Sequence, residues 1–274
     1  MSQQRRAESG FDRVDQAGAP QGYVECLDAQ HATDFTRQYK RRTIELLTLQ
    51  PSQQVLDIGC GTGEEVRAMA RLVTPGGLVT GLDYSQVMID EAEQRSQGGH
   101  LSVRFMQGSV YELPFADNSF DRCRADRVFM HLKEPEQALA EMLRVIRPGG
   151  YILIVEPDHL TRVIDTPYPE VTNRFLAFRN AGMKQPDIAH RLYSMYKRAG
   201  LVNVTVETIT QVTTDYETIR PFTRLIEGMR TAQEHGRVTM EEADKWIAHI
   251  EEANRSGGFF HALTSFITLG QKPV

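Results

Sequence analysis

Three glycines within five positions, Gly59, Gly61 and Gly63, follow Asp57 at the end of a short apolar run in the stretch VLDIGCGTGEE. Glycine loses more conformational freedom on folding than other residues, so such a cluster suits backbone that turns sharply or meets a ligand closely. Two ligand classes use a strand, a glycine loop and a helix, with an acidic residue closing the next strand. Dinucleotide sites space the glycines G-x-G-x-x-G and seat a diphosphate on the helix N-terminus. Here the spacing is one residue shorter, and Asp57, Glu64 and Glu65 flank the loop with charge that repels a diphosphate. A nucleoside that carries an ammonium and a sulfonium instead of phosphate tolerates those carboxylates, which points to S-adenosylmethionine. Asp83 closes the next strand 20 residues after Gly63, placed to accept hydrogen bonds from two ribose hydroxyls. Met88, one helical turn on, is placed against the adenine face, a position where an ordinary core methionine would also fit.

These residues need a scaffold, and the pattern around them alternates. Helical periodicity runs from about Thr33 to Leu49. It is followed by a strand at 55–58, a helix from Glu65 to Leu72, a strand at 76–83, a helix from Ser85 to Arg95, and strands at 101–108 and 121–125. A helix from Pro135 to Ile146 places Ala138, Leu139, Met142, Val145 and Ile146 on one face, and YILIVEP at 151–157 reads as a strand buried on both faces. Strand–helix alternation with short connections predicts a doubly wound sheet with the glycine loop at its carboxyl edge, where such sheets bind ligands. Residues 159–185 carry no strand pattern, 187–199 read as helix, 201–210 as strand, and 215–256 as helix. In that last stretch Thr239 and Glu242 form a capping box ahead of an apolar face of Met240, Ala243, Trp246, Ile247 and Ile250. The final strand spans 259–270. The organisation expected is a flexible tail over 1–22, a binding core with N-terminal helices over 23–158, and a lid insertion over 159–185. The core then resumes over 186–214, a helical lid covers 215–258, and the last core strand lies in 259–274.

VLDIGCGTG, VTGLDYSQVMIDEA, LPFADNSFD and LRVIRPGGYILIVEP stand in order across residues 50–157. Together they resemble the class I S-adenosylmethionine-dependent methyltransferases, in particular the small-molecule branch similar to ubiquinone/menaquinone-type C-methyltransferases. LYSMYKRAGLVNVTVE and FFHALTSFITLGQKP look like the family's final two strands. The resemblance implies an α/β fold. Its centre is a Rossmann-like, seven-stranded, doubly wound sheet, mostly parallel with an antiparallel last strand, and it carries helical lid insertions. It also implies that Asp57, Gly59, Gly61 and Thr62 bind the cofactor, with Gly59 and Gly61 bordering its methionine part, and that Asp83 holds the ribose. Tyr84 and Met88 would flank the adenine, Gly108, Ser109 and Val110 its edge, and the backbone near Ala125 the amino group. The family commonly has an Asp where this chain has Ser109, which replaces a charged acceptor by a weaker neutral one.

Methyl transfer from a sulfonium neutralises charge in an in-line displacement, so alignment and exclusion of water supply much of the acceleration. A base helps when the acceptor is a hydroxyl or an acidic carbon. His159, His131 and Asp158 are the catalytic candidates by position after the fourth and fifth strands, with structural roles for the histidines as the competing reading. Asp126 is a candidate for the cofactor ammonium, and Tyr23 for the pocket mouth. Phe175, Phe178, Met183, Tyr193, Tyr196, Phe222 and Trp246 suggest an apolar or aromatic small-molecule acceptor, and equally a packed core.

Bulk composition narrows the partners. Lys plus Arg number 31 against 36 for Asp plus Glu, so no positive field is available for a phosphate backbone. Arg37, Lys40, Arg41 and Arg42 read as a solvated helix face. The turn that marks amino-methylating nucleic-acid enzymes is replaced by Ala125-Asp126-Arg127-Val128, and nucleic acid is not expected as a partner. Competing readings are a catalytically silent S-adenosylmethionine-binding protein and, further off, a nicotinamide dehydrogenase. The absence of a long apolar run or a signal-peptide core leads to the expectation of a cytoplasmic monomer or homodimer without membrane contact. Cys26, Cys60 and Cys123 form no ligand spacing, and no metal is expected.

Overall fold

The computed structural model describes residues 11–16 and 21–274. Its centre is a sheet built from β1 (Gln54–Ile58), β2 (Leu78–Asp83), β3 (Val103–Gln107), β4 (Phe120–Asp126), β5 (Ile146–Pro157), β6 (Val163–Ile164), β7 (Val202–Thr213) and β8 (His261–Gln271). The order is β3-β2-β1-β4-β5-β8, with β7 along the far side of β8. β1 to β5 pair in parallel, and β8 runs antiparallel to β5 and β7. The two-residue β6 pairs with Ala262 and His261 of β8, beyond the point where β5 stops pairing. It is an eighth strand, lying inside the segment read as strand-free.

The parallel strands are buried on both faces, and side chains two apart share a face. Leu56 and Ile58 of β1 and Ile152 and Ile154 of β5 join one core with α5 (Pro135–Val145) and α7 (Ile188–Arg198). Val55, Leu153 and Val155 join the opposite core with α3 (Glu64–Leu72), Ile89 of α4 (Gln86–Ser96), and Leu47, which ends α2 (Asp34–Leu46). Thr33 and Ser85 cap α2 and α4 by accepting the backbone N–H three residues on.

The N-terminal expectation needs correction. Residues 1–10 and 17–20 lie outside the described residues, but Phe11–Gln16 forms a 3-10 turn and α1 spans Gln21–His31. Val14 packs with Val24 and Met88. Asp15 accepts the N–H of Gln86 at 2.9 Å and the hydroxyl of Ser85, so it caps α4 from outside. An acidic group at a helix start is favourable, which explains why this piece is held.

The stretch 215–256 divides into α8 (Tyr216–Thr223), α9 (Leu225–Glu234) and α10 (Met240–Ser256). Arg224 in left-handed conformation (φ 46°) separates the first two. With α6 (Pro169–Ala181) these helices enclose a third core of Phe175, Leu225, Met229, Trp246 and Ile250. Trp246 donates to the Thr172 hydroxyl at 2.9 Å, and Thr239 and Glu242 make the expected capping box on α10. Among the described residues no helix is long and apolar enough to cross a membrane.

Candidate functional site

β1 ends in a loop whose three glycines all lie at positive φ, 66°, 52° and 76° for Gly59, Gly61 and Gly63. A Cβ on Gly59 would fall 2.3 Å from Val128 Cγ2, so only glycine lets this loop close on the turn after β4. The Gly59 and Cys60 amides both donate to Leu82 O, at 2.7 and 3.1 Å, locking the loop to the end of β2. There the Asp83 carboxylate accepts from Gly61 N and from Ser85 N, each at 2.9 Å. Burial pushes this carboxyl above its ordinary range although both amides favour the anion. Each oxygen keeps lone-pair capacity for a further donor. The Thr62 hydroxyl, inside the same loop, is enclosed without a hydrogen-bond partner. α1 covers the loop, with Leu27 Cδ1 3.2 Å from a Cβ position on Gly61.

The register brings several other sequence-selected residues alongside. Ala125 of β4 pairs with Ile58, and Gly108 N donates to Asp83 O at 2.9 Å. Ser109 accepts from Tyr111 N at 3.2 Å, and Val110 is buried. The Tyr84 side chain is exposed, whereas Met88 is buried with Val14 and Val24 and shared with the N-terminal cover. A cleft of about 300 Å³ lined by Gln54, Leu78, Arg104 and Phe120 opens toward the amino ends of the strands and includes none of these residues.

The negative charge read at the loop is largely paired from behind. Fully buried Arg124 donates to Asp57 at 2.9 Å and to Asp126 at 2.7 Å, and Tyr39 donates to Asp126 at 3.2 Å. Burial nevertheless raises the Asp57 carboxyl to about 6. Lys40 pairs with Glu65 at 2.7 Å. Burial alone would raise Glu65, but Lys40 and Arg124 hold it down to about 2. Lys40 therefore does not lie on a solvated face. Its neighbours Arg37 and Arg42 bind Asp34 and Glu207 at the surface.

Sequence reading did not select Arg124 or Glu156. Both are charged residues inside otherwise buried strands, and that is the signal that would have marked them. Glu156 of β5 accepts from Val128 N at 2.8 Å, Phe129 N at 2.6 Å and Met130 N at 3.4 Å, and so shapes the turn that carries His131. Burial pushes its carboxyl up to about 8 against those three donors.

The three catalytic candidates have different surroundings. Asp158 is fully buried and accepts from Leu160 N at 3.0 Å and from His190 Nδ1 at 2.5 Å, so its carboxylate tethers α7 and has no surface to offer an acceptor. His159 follows β5, and burial together with Arg162 lowers its imidazole to about 3. His131 ends the 3-10 turn after β4, near enough to His159 for their charges to interact. The aromatic residues offered as an acceptor pocket divide mainly into cores. Phe175 and Trp246 stack edge-on inside the core of α6, α9 and α10, and Tyr196 is buried against β8 with its hydroxyl on Thr268 O. Tyr193 is half exposed. Packing of the helices therefore accounts for Phe175, Trp246 and Tyr196.

Residues 56–154 match the family described as a methyltransferase domain. A demethylmenaquinone methyltransferase of Renibacterium salmoninarum is 36% identical over 149 residues, 51% of this chain and 60% of the relative. The chain belongs to the class I S-adenosylmethionine-dependent methyltransferases. An uncharacterised 37.1 kDa protein in a transposon of Streptomyces fradiae is 32% identical to this methyltransferase over 249 residues, 90% of the chain and 71% of the relative. In fold it is similar to a phosphoethanolamine N-methyltransferase of Haemonchus contortus solved with phosphomonomethylethanolamine and S-adenosylhomocysteine. The TM-score is 0.62 at 17% identity, covering 96% of this chain and 60% of the other. The family takes its methyl group from S-adenosylmethionine. The residues present fit it: an orphaned hydroxyl at Thr62 and a two-lobed acceptor at Asp83.

Proposed function

We propose that this methyltransferase acts on a small molecule seated between the carboxyl edge of the sheet and the helical lid formed by residues 159–185 and 215–258. The observation that carries the reading is the Asp83 carboxylate, held by Gly61 N and Ser85 N at 2.9 Å with lone pairs left for a vicinal diol. Asp83 binds the ribose hydroxyls. Gly59 and Gly61 let the backbone approach the methionine portion, and Thr62 offers it a hydroxyl. Tyr84 and Met88 flank the adenine, Gly108, Ser109 and Val110 line its edge, and the backbone at Ala125 meets the amino group. Asp57, fixed by Arg124, stands at the ammonium end of the site.

When bound, S-adenosylmethionine supplies an electrophilic methyl group. The chain's own residues align the acceptor and exclude water, the two terms that matter most when charge is neutralised in the transition state. His159 and His131 are the polar groups nearest the acceptor side. An imidazole lowered to about 3 is a poor proton acceptor, so His159 orients the acceptor rather than deprotonating it. The small-molecule activity named for the demethylmenaquinone relative supports the acceptor class. The choice among oxygen, carbon and nitrogen is the acceptor's own.

Calorimetric titration of wild type and Asp83→Ala with S-adenosylmethionine and S-adenosylhomocysteine tests the assignment. Loss of two hydrogen bonds to a charged acceptor, about 1.5–3 kcal/mol each, predicts at least a hundredfold weaker binding with the fold retained. Unchanged affinity in the variant refutes the ribose assignment.

A further inference from the structure

Every buried cation near the glycine loop has a carboxylate: Arg124 has Asp57 and Asp126, and Lys40 has Glu65. Arg162 does not. It follows β5 by one short turn, is 8% exposed, and forms no ion pair among the described residues. Its guanidinium donates instead to two imidazoles, His261 Nε2 at 2.5 Å and His159 Nδ1 at 3.3 Å. Arginine is only a donor, so both ring nitrogens must accept, and each histidine is held neutral with its hydrogen on the other nitrogen. Those other nitrogens, His159 Nε2 and His261 Nδ1, are enclosed without partners, as is Arg162 Nε. The cluster thus holds three buried N–H donors without an acceptor.

A second cation reaches the same place from the lid. Arg179 of α6 sits against α9, its Nη1 3.3 Å from a Cβ position on Gly228, and it too forms no ion pair among the described residues. Its charge bears on Arg162, His159 and His261 together. Burial lowers all four groups, and the charges that act on them besides Arg162 and Arg179 are those of His131, Arg224 and Tyr216. The first two of these are basic. A buried charge left without a counter-charge is strongly unfavourable, and burying several donors without an acceptor compounds the penalty. The arrangement spans the carboxyl end of β5, the start of β8 and the lid helix α6. His159 stands near His131, which follows the turn that closes on Gly59.

We infer that Arg162, Arg179, His159 and His261 form a receptor for a compact oxyanion, a carboxylate or a phosphate monoester, and that this group anchors the methyl acceptor beneath the lid. The inference rests on the proposed function and adds to it the charge of the acceptor. It replaces an aromatic pocket, whose principal side chains are taken up by cores, with a cationic one. The anion supplies the missing acceptor for the three donors and the missing counter-charge for two arginines.

The test uses the full chain without cofactor. Thermal melts and calorimetry are run with inorganic phosphate and, separately, with benzoate, sodium chloride keeping ionic strength constant. A saturable rise in melting temperature with either anion, absent with chloride, is the expected result. A response to phosphate alone identifies a phosphate ester, and a response to benzoate alone a carboxylate. Arg162→Gln should abolish the response, and Arg179→Gln should weaken it about tenfold or more. Arg179 makes no ion pair, so its variant carries the test if Arg162→Gln does not fold. The inference is overturned if both anions behave as chloride on cooperatively melting wild-type protein, or if the folded variants respond as wild type does. Uptake of S-adenosylhomocysteine is measured on separate aliquots. Uptake without an anion response sinks this inference alone, and an anion response without uptake supports the receptor while sinking the cofactor reading.

Discussion

Replacing Gly59 with alanine tests the seam between the glycine loop and the turn after β4. At φ 66° a residue with a Cβ loses about 1–2 kcal/mol relative to glycine. The new Cβ would also fall 2.3 Å from Val128 Cγ2 and 3.6 Å from its Cβ. Val128 has little room to yield. Its branched side chain is stiff at χ1, and its amide donates to Glu156 at 2.8 Å. Overpacking of this kind adds about 1–3 kcal/mol. Gly59→Ala should therefore destabilise by about 2–5 kcal/mol. Val128→Ala removes the clashing methyls and alone loses about 0.5–2 kcal/mol. In the double variant the overpacking disappears and the backbone penalty remains, so the sum of the two single losses should exceed the double loss by about 1–3 kcal/mol. Urea unfolding followed by far-UV circular dichroism reads this cycle. The one tryptophan, Trp246, lies in the lid core and would report that region instead. Additivity within about 0.5 kcal/mol would refute the contact.

Three further outcomes follow from the buried charges. Arg124→Met strands Asp57 and leaves Asp126 with Tyr39 and Arg127, with an expected loss of about 3–5 kcal/mol at neutral pH by urea titration. Burial raises Asp57 to about 6 even with Arg124 pulling it down, so without Arg124 its carboxyl moves further up, and at about pH 5 it is neutral and needs no cation. The loss should shrink at about pH 5, and an equal loss at both pH values would contradict the pairing. His159 and His261 are both lowered to about 3 from 6.5, so the folded state binds fewer protons than the unfolded chain. Stability should then be full above about pH 6.5 and fall as pH drops toward 3, steepening by up to about 1.4 kcal/mol per pH unit for each histidine. The His159→Gln/His261→Gln double variant should flatten that slope in urea midpoints between about pH 7 and about pH 5, and an unchanged slope would place the titration elsewhere.

The glycine loop and the strands around it were legible because their signals are local. Apolar runs at 55–58 and 151–157 announce strands buried on both faces, Thr33 and Ser85 announce helix starts, and three glycines announce a turn that the positive φ values then require. What was not legible depends on pairing across distance. Asp57 and Arg124 are separated by 67 positions, and no local pattern says that the carboxylate reserved for a ligand already has a cation behind it. The break between α8 and α9 falls at Arg224, a left-handed residue that is not glycine; Pro221, three residues earlier, is the local signal for it, and the reading of 215–256 as one helix passes over it. β6 is only two residues long, too short to show a period.

The lid shows why residue type alone misleads about an acceptor. In one dimension Phe175 and Trp246 look like lining, and nothing singles out Arg162 or Arg179. Four helices that stand off the sheet must enclose apolar side chains of their own, and Phe175, Met229 and Trp246 serve that need before any ligand does. The element that must also meet the sheet then contributes what its core does not use. For α6 that is Arg179, whose charge bears on Arg162 and its two imidazoles. The inferred oxyanion is the counter-charge that these two arginines lack among the described residues.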